Sequence, residues 1–237
     1  MQKLDVCLSP ALFQYYNTEN KIIVVIDVIR STSCICVALA YGAEKIIPVE
    51  TETEALKLKE QGCLISGEHK GIKLEGYDFG NSPFDFMTPN IKGKTIAMTS
   101  TNGTRAIHVT KNSRQLLTGA FINTECISEW LIKSDSDVLF LCSGWFFKVN
   151  IEDTLLAGKI CDRLIGSGKY YTNSDAVNIA ISLYNSAKGN IFNYVMDQSP
   201  RLSSKRSFFE KDLQYCLSDI QYKVIPVMKQ DVLVPLF

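Results

Sequence analysis

Several features that would narrow a function at once are missing. The 237 residues hold only two histidines, His69 and His108, and these lack the short paired spacing of a zinc motif. There is no GxxxxGK[ST] phosphate loop and no GxGxxG. No apolar run approaches the roughly 18 residues of a membrane helix, and "KIIVVIDVI" is interrupted by Asp27. The opening "MQKLDVCLSP" lacks the apolar stretch of a signal peptide. An excess of one charge is missing too, with 25 Lys+Arg against 25 Asp+Glu. Without a basic field, neither nucleic acid nor a membrane surface is an expected partner. Eight cysteines are present but no CxxC, and Cys34 and Cys36 at i, i+2 do not face each other on a helix. Scattered through apolar segments, they read as buried free thiols of a reducing cytoplasm.

What is present is alternation. Hydrophobic residues make up 46% of the chain, enough for one α/β domain over 1–237 or two similar halves, about 1–93 and 94–237. Two stretches look alike: Lys21 to Lys59 and Lys94 to Lys133. Each has a lysine, a short apolar strand, a polar turn, a helix of small and apolar residues, a second strand, and a helix opened by Thr-Glu. A third unit begins at "DVLFLCSGW". The runs Ile22–Ile26, Ile96–Met98 and Val138–Cys142 are near-continuous apolar, as in strands covered on both faces. The pattern predicts a three-layer α/β/α fold with a largely parallel, mixed sheet built from two or three similar βα units. Ser31/Thr32, Thr104 and Asn150 are the expected helix N-caps. A long loop is expected within 63–87. After Gly168 the reading is an amphipathic helix, a looser stretch to Phe209, a short helix and a last strand near "YKVIPVM".

Ligands of open parallel sheets bind beyond the strands' carboxyl ends. Three polar turns fall there: "DVIRSTS", "TSTNGTR" and "CSGWFFKVNIEDT". Each leads into a helix N-terminus, which favours anions. Together with Arg30, Arg105 and Lys148 they form an expected anion cradle. The same edge carries Asp27, Asp153 and, from the loop, Glu68 and Asp78. Acids among cations point to a metal, and Mg²⁺ binds through one or two carboxylates plus phosphate oxygens. The combination reads as Mg²⁺-assisted phosphate chemistry on a small anionic substrate. Blander readings stand beside it: Ser31, Thr32 and Thr104 as plain caps, Asn102-Gly103 as a plain turn, and Asp27 in a buried pair with Arg30.

The motifs "VVIDVIRSTS", "SGEHKG", "GYDFGNSP", "TSTNGTRA", "GAFIN" and "IEDTLLAG", in this order across most of the chain, resemble those of the 2-phosphosulfolactate phosphatases. That resemblance implies a Mg²⁺-dependent acid phosphatase of coenzyme M biosynthesis, acting on phosphate esters of 2-hydroxy acids. His69 stands where the family usually has arginine, and the turn "CSGWFFKVN" is more aromatic than the small, glycine-containing turn expected. The expected catalytic residues are Asp27, Arg30 and Asp153, and the expected metal ligands Asp27, Glu68 and Asp153. Substrate contacts are expected from Ser31, Thr32, Asn81, Ser82, Thr101, Asn102, Gly103, Thr104, Arg105, Ser143 and Lys148. Attack by water is preferred to attack by Asp27, since Ile29 stands where a DxD motif would put its second acid. A homodimer is expected from fold size and apolar content. The rival from another class is a non-catalytic anion-binding module, which needs the cradle but no metal.

Overall fold

A computed structural model describes every residue except Lys70, Thr101, Lys111 and Asn112. Along the chain lie β1 (Gln2–Cys7), β2 (Ile22–Ile26), α1 (Ser31–Ala40), β3 (Lys45–Val49), α2 (Glu52–Glu60), β4 (Leu64–Ser66), β5 (Glu68–His69) and β6 (Ile72–Lys73). Next come β7 (Thr95–Thr99), α3 (Gly103–Val109), β8 (Gln115–Gly119), α4 (Thr124–Lys133), β9 (Val138–Cys142), α5 (Ile151–Gly166) and β10 (Tyr170–Tyr171). The chain finishes with α6 (Asp175–Ala187), α7 (Ile191–Gln198), α8 (Pro200–Ser203), α9 (Arg206–Cys216), β11 (Pro226–Lys229) and β12 (Val232–Pro235). The stretch expected to be loose before Phe209 is therefore largely helical. The expected last strand is the first arm of a hairpin. Both differences arise where short segments carry mixed apolar and polar residues with no clear period.

Ten strands form one sheet in the order β10-β1-β9-β2-β8-β11-β12-β3-β7-β4. Residues of β2 alternate between its two faces. Ile22, Val24 and Ile26 join the apolar cluster under α4–α7, while Ile23 and Val25 join the cluster under α1 and α3. Both faces are covered, so the whole strand is buried and reads as "IIVVI". Each such side chain contributes roughly 1.5–3 kcal/mol relative to exposure. This is the three-layer α/β/α arrangement.

The two similar stretches are both strand-helix-strand-helix, and they exchange strands. β2 pairs in parallel with β8, and β3 in parallel with β7. Exchanging the repeats maps these pairs onto each other, as a pseudo-two-fold would. Between β8 and β3 the ladder reverses three times, through the hairpin β11–β12. The two parallel halves of the sheet therefore run in opposite senses, yet the turns after β2 and β7 converge, with Ser31 Oγ 3.3 Å from Ser100 Oγ. The expected single carboxyl edge is replaced by this convergence. All eight cysteines are free, six of them buried. No helix among the described residues is long and apolar enough to cross a membrane.

Helices α5 and α6 pack closely through Gly158, where an added Cβ would lie 2.0 Å from the Ala180 carbonyl oxygen. An interior helical Gly→Ala change normally stabilises by about 0.5–1 kcal/mol. Here the sign reverses, because backbone cannot move aside cheaply. Gly158→Ala is expected to lower stability by about 1–3 kcal/mol, read as a lower urea midpoint. A raised midpoint would refute this packing.

Candidate active site

The site forms where the ends of β2 and β7 meet. Asp27 ends β2 and is buried. The turn after it is self-bonded: the Asp27 N–H donates to Thr32 Oγ1 at 3.2 Å, and the Thr32 N–H to the Asp27 carbonyl at 2.9 Å. From the other repeat, Ser100 Oγ accepts the Thr104 N–H at 2.8 Å, so Ser100 plays the capping part expected of Thr104. Ser31 Oγ donates to Ser100 Oγ at 3.3 Å and joins the two turns. Gly103 packs against Asp27 so closely that a Cβ there would lie 2.7 Å from Asp27 Oδ2 and 2.6 Å from Ser31 Oγ.

The cavity in front of Asp27 has a volume of about 560 Å³, within the range of small-molecule sites. Asp27, Arg30, Glu68, Asn81 and Asn102 all line it, as does Ser100. Arg30 does not pair with Asp27. Its Nη1 donates to Asp212 of α9, whose other oxygen accepts Ser82 Oγ at 2.8 Å, and the ring of Phe209 lies 4.7 Å from its guanidinium carbon. Arg201 of α8 also lines the cavity; it donates to the buried Glu152 and lies over Trp145 at 5.6 Å. Each guanidinium is thus held by one carboxylate and one ring, with further N–H donors left over.

Burial pushes the Asp27 carboxyl up to about 7, and the nearby Glu152 charge adds to this. Arg201, the Gly103 N–H and Arg30 pull the other way. Burial and the Glu152 and Asp27 charges also raise Asp153 well above the usual carboxylate range.

The structure gives Asp153 a different place from the one expected. Its Oδ1 accepts the Val28 N–H at 2.9 Å, and its Oδ2 accepts the Gly144 N–H at 3.0 Å and Asn150 Nδ2 at 2.9 Å. Both oxygens are occupied in tying the turn after β2 to the turn after β9, so Asp153 is placed as scaffold rather than as a cavity-lining ligand. Lys148 is exposed and outside the cavity, and Arg105 and Thr104 face a neighbouring cleft. Thr32 and Ser82 bond within the walls, and Ser143 is buried with its hydroxyl unpartnered. Thr101 lies outside the described residues. Sequence reasoning missed Arg201 and Glu152 as a pair; the only local signal for Glu152 was its place beside Asp153.

The loop after β9 carries the aromatic residues singled out above. Trp145 and Lys148 exchange backbone hydrogen bonds at 2.9 and 3.0 Å across Phe146 and Phe147. These two residues have φ of 47° and 62°, a two-residue turn that normally takes Asn-Gly. Holding β-carbon-bearing residues there costs about 1–2 kcal/mol each. Phe147 stacks on Arg105 at 4.7 Å, and the Phe146 N–H donates to Asn102 Oδ1 at 3.3 Å.

Among the described residues no group of three or more His, Cys, Asp or Glu side chains is arranged to hold a metal. A Mg²⁺ bound partly through substrate phosphate needs fewer protein ligands. Asp27 and Glu68 face one cavity with Asn81, whose Oδ1 is buried and without a hydrogen-bond partner. An orphaned acceptor oxygen lining the same cavity as two carboxylates is a donor set of the kind Mg²⁺ takes.

Residues 7–231 match the family model described as 2-phosphosulpholactate phosphatase. A "Probable 2-phosphosulfolactate phosphatase" of Clostridium acetobutylicum is 34% identical over 94% of this chain and 96% of its own length. Proteins with the same description from Thermotoga maritima and Carboxydothermus hydrogenoformans are 35% and 36% identical, covering 98% and 94% of this chain and 97% and 92% of their own. A match over nearly the whole chain, with Asp27 and both flanking turns inside it, leaves one conclusion: the chain belongs to the 2-phosphosulfolactate phosphatase family.

Proposed function

We propose that this chain is a Mg²⁺-dependent phosphatase that hydrolyses 2-phosphosulfolactate to 3-sulfolactate and phosphate. The observation that carries the reading is Asp27, a buried acid facing a cavity that also presents two anchored guanidiniums and an orphaned amide oxygen. Family membership supplies the substrate class. The expected place of the reaction in coenzyme M biosynthesis follows the same resemblance, and the free thiols favour a cytoplasmic setting.

In this mechanism Arg30 and Arg201 bind the phosphoryl oxygens, with Ser100 and Asn102 completing the wall. Asp212 and Glu152 are positioning residues that fix the two guanidiniums. Asp27, Glu68 and Asn81 would hold Mg²⁺, which supplies charge neutralisation and an acidified water. Positioning and charge stabilisation dominate phosphoryl transfer. Asp27 lines the cavity, and direct attack by its carboxylate is the competing route. Trapping a phosphoryl group on Asp27 during turnover would select that route.

The first test is phosphate release from 2-phosphosulfolactate. Release is expected only with Mg²⁺, and Asp27→Asn is expected to lower kcat by about 10³-fold or more. Metal-independent release, or an active Asp27→Asn protein, would overturn the reading. A second prediction concerns stability. The folded-state pKa of Asp27, about 7, lies above the unfolded value near 3.9. The folded protein then binds the extra proton between these values, so its stability falls as pH rises from about 4 through 7. In chelator, Asp27→Asn is expected to melt a few degrees higher than wild type at pH 8 and to show a shallower decline from pH 5. Equal melting curves at both pH values would show that Asp27 is ionised at no cost.

A further inference from the structure

The cavity has two unlike walls. The polar wall carries Asp27 and Ser100 from the two repeats, and Glu68 and Asn81 from the stretch between them. The apolar wall is made of Ile29, Leu202, Phe209, Leu213, Trp145 and Phe146, with Arg30 stacked on Phe209 and Arg201 on Trp145. Leu202 and Leu213 are almost fully buried, whereas Phe146 is 57% exposed. The rings of Trp145 and Phe146 meet edge to face at 5.2 Å, an exposed aromatic pair beside a polar pocket. Such a pair is what an apolar group of a ligand would cover.

Both arginines of the lining already have an acidic partner. Arg30 and Arg201 are paired with Asp212 and Glu152. Lys205 is the lining Lys or Arg that makes no ion pair among the described residues. The strained turn is informative for the same reason. A turn with φ above zero at two positions would be cheaper with Asn-Gly, and strain of this kind persists where the site uses the side chains.

We propose that the apolar wall is a subsite for a hydrophobic, preferably aromatic, substituent on carbon 3 of the 2-hydroxy acid. The chain then hydrolyses 2-phosphorylated 3-aryl-lactates alongside the sulfonated ester. The inference rests on the phosphatase reading above. The reaction is the same: water adds its oxygen to phosphorus, the bond from phosphorus to the 2-oxygen breaks, and that oxygen takes a proton. Phosphate and the free 2-hydroxy acid leave.

The test compares kcat/KM, with Mg²⁺, for 2-phosphosulfolactate, 2-phospholactate and 2-phospho-3-phenyllactate. The phenyl ester is expected to exceed phospholactate about tenfold or more, in line with the range for small apolar groups in a hydrophobic pocket. The informative variant is Phe146→Asn. Asparagine tolerates positive φ, keeps the backbone N–H that reaches Asn102, and removes the ring. Trp145 and Phe209 are less clean, since both stack on guanidiniums. In Phe146→Asn the phenyl-to-methyl ratio is expected to fall about tenfold. Equal kcat/KM for the phenyl and methyl esters in wild type, or a ratio untouched by the variant, would overturn the subsite while leaving the phosphatase reading intact. Should no ester release phosphate, the phosphatase reading fails by itself. Calorimetric binding of 3-phenyllactate against lactate then decides the subsite: tighter phenyllactate binding lost in Phe146→Asn sustains it, and equal binding overturns it.

Discussion

Asp27 is a carboxylate at the end of a fully buried strand, and the local architecture answers to that. Desolvation drives its proton on, while the Gly103 N–H and two guanidiniums draw it off. Each compensating group needs a particular neighbour. The Gly103 amide can approach only because no Cβ intervenes. Arg30 stays in place through Asp212 on α9, and Arg201 through Glu152 on α5. Remove any one, and a buried charge loses part of what makes it tolerable.

The pseudo-two-fold explains why two different turns meet at this acid. Aligning the repeats on Lys21 and Lys94 puts Ser100 where Asp27 stands. Both line the cavity. One repeat contributes the ionisable group and the other the amide and hydroxyl that surround it. The two turns are joined directly by the Ser31–Ser100 hydrogen bond and by the close approach of Gly103 to Asp27.

This arrangement also sets what the residues alone can reveal. The βα alternation was legible because both faces of the strands are covered, leaving apolar runs such as "IIVVI" and "VLFLC". The acid at the end of β2 was legible because it breaks such a run. The β11–β12 hairpin and its three reversals were not, since only single residue pairs join it to β8 and β3. The pairing of Arg30 with Asp212 spans 182 positions, and no local spacing encodes it. Asp153 looked like a site acid because it opens a helix beside Glu152. Its role as an acceptor for three N–H donors from two turns appears only when those turns are brought together in space.

The strain around the site follows the same logic as the buried acid. Phe146 and Phe147 hold backbone angles that glycine or asparagine would hold more cheaply. Asp27 holds a charge that burial resists. Neither helps the fold, and both sit within one cavity region. They are sustained by packed layers on either side of β2 and β9 and by Asp153, which locks the Phe-bearing loop to the turn that carries Asp27. Asp153 therefore ties the turn of the acid to the loop of the aromatic rim. Stability is given up locally where chemistry and recognition need unusual geometry, and the shared scaffold confines that loss to one place.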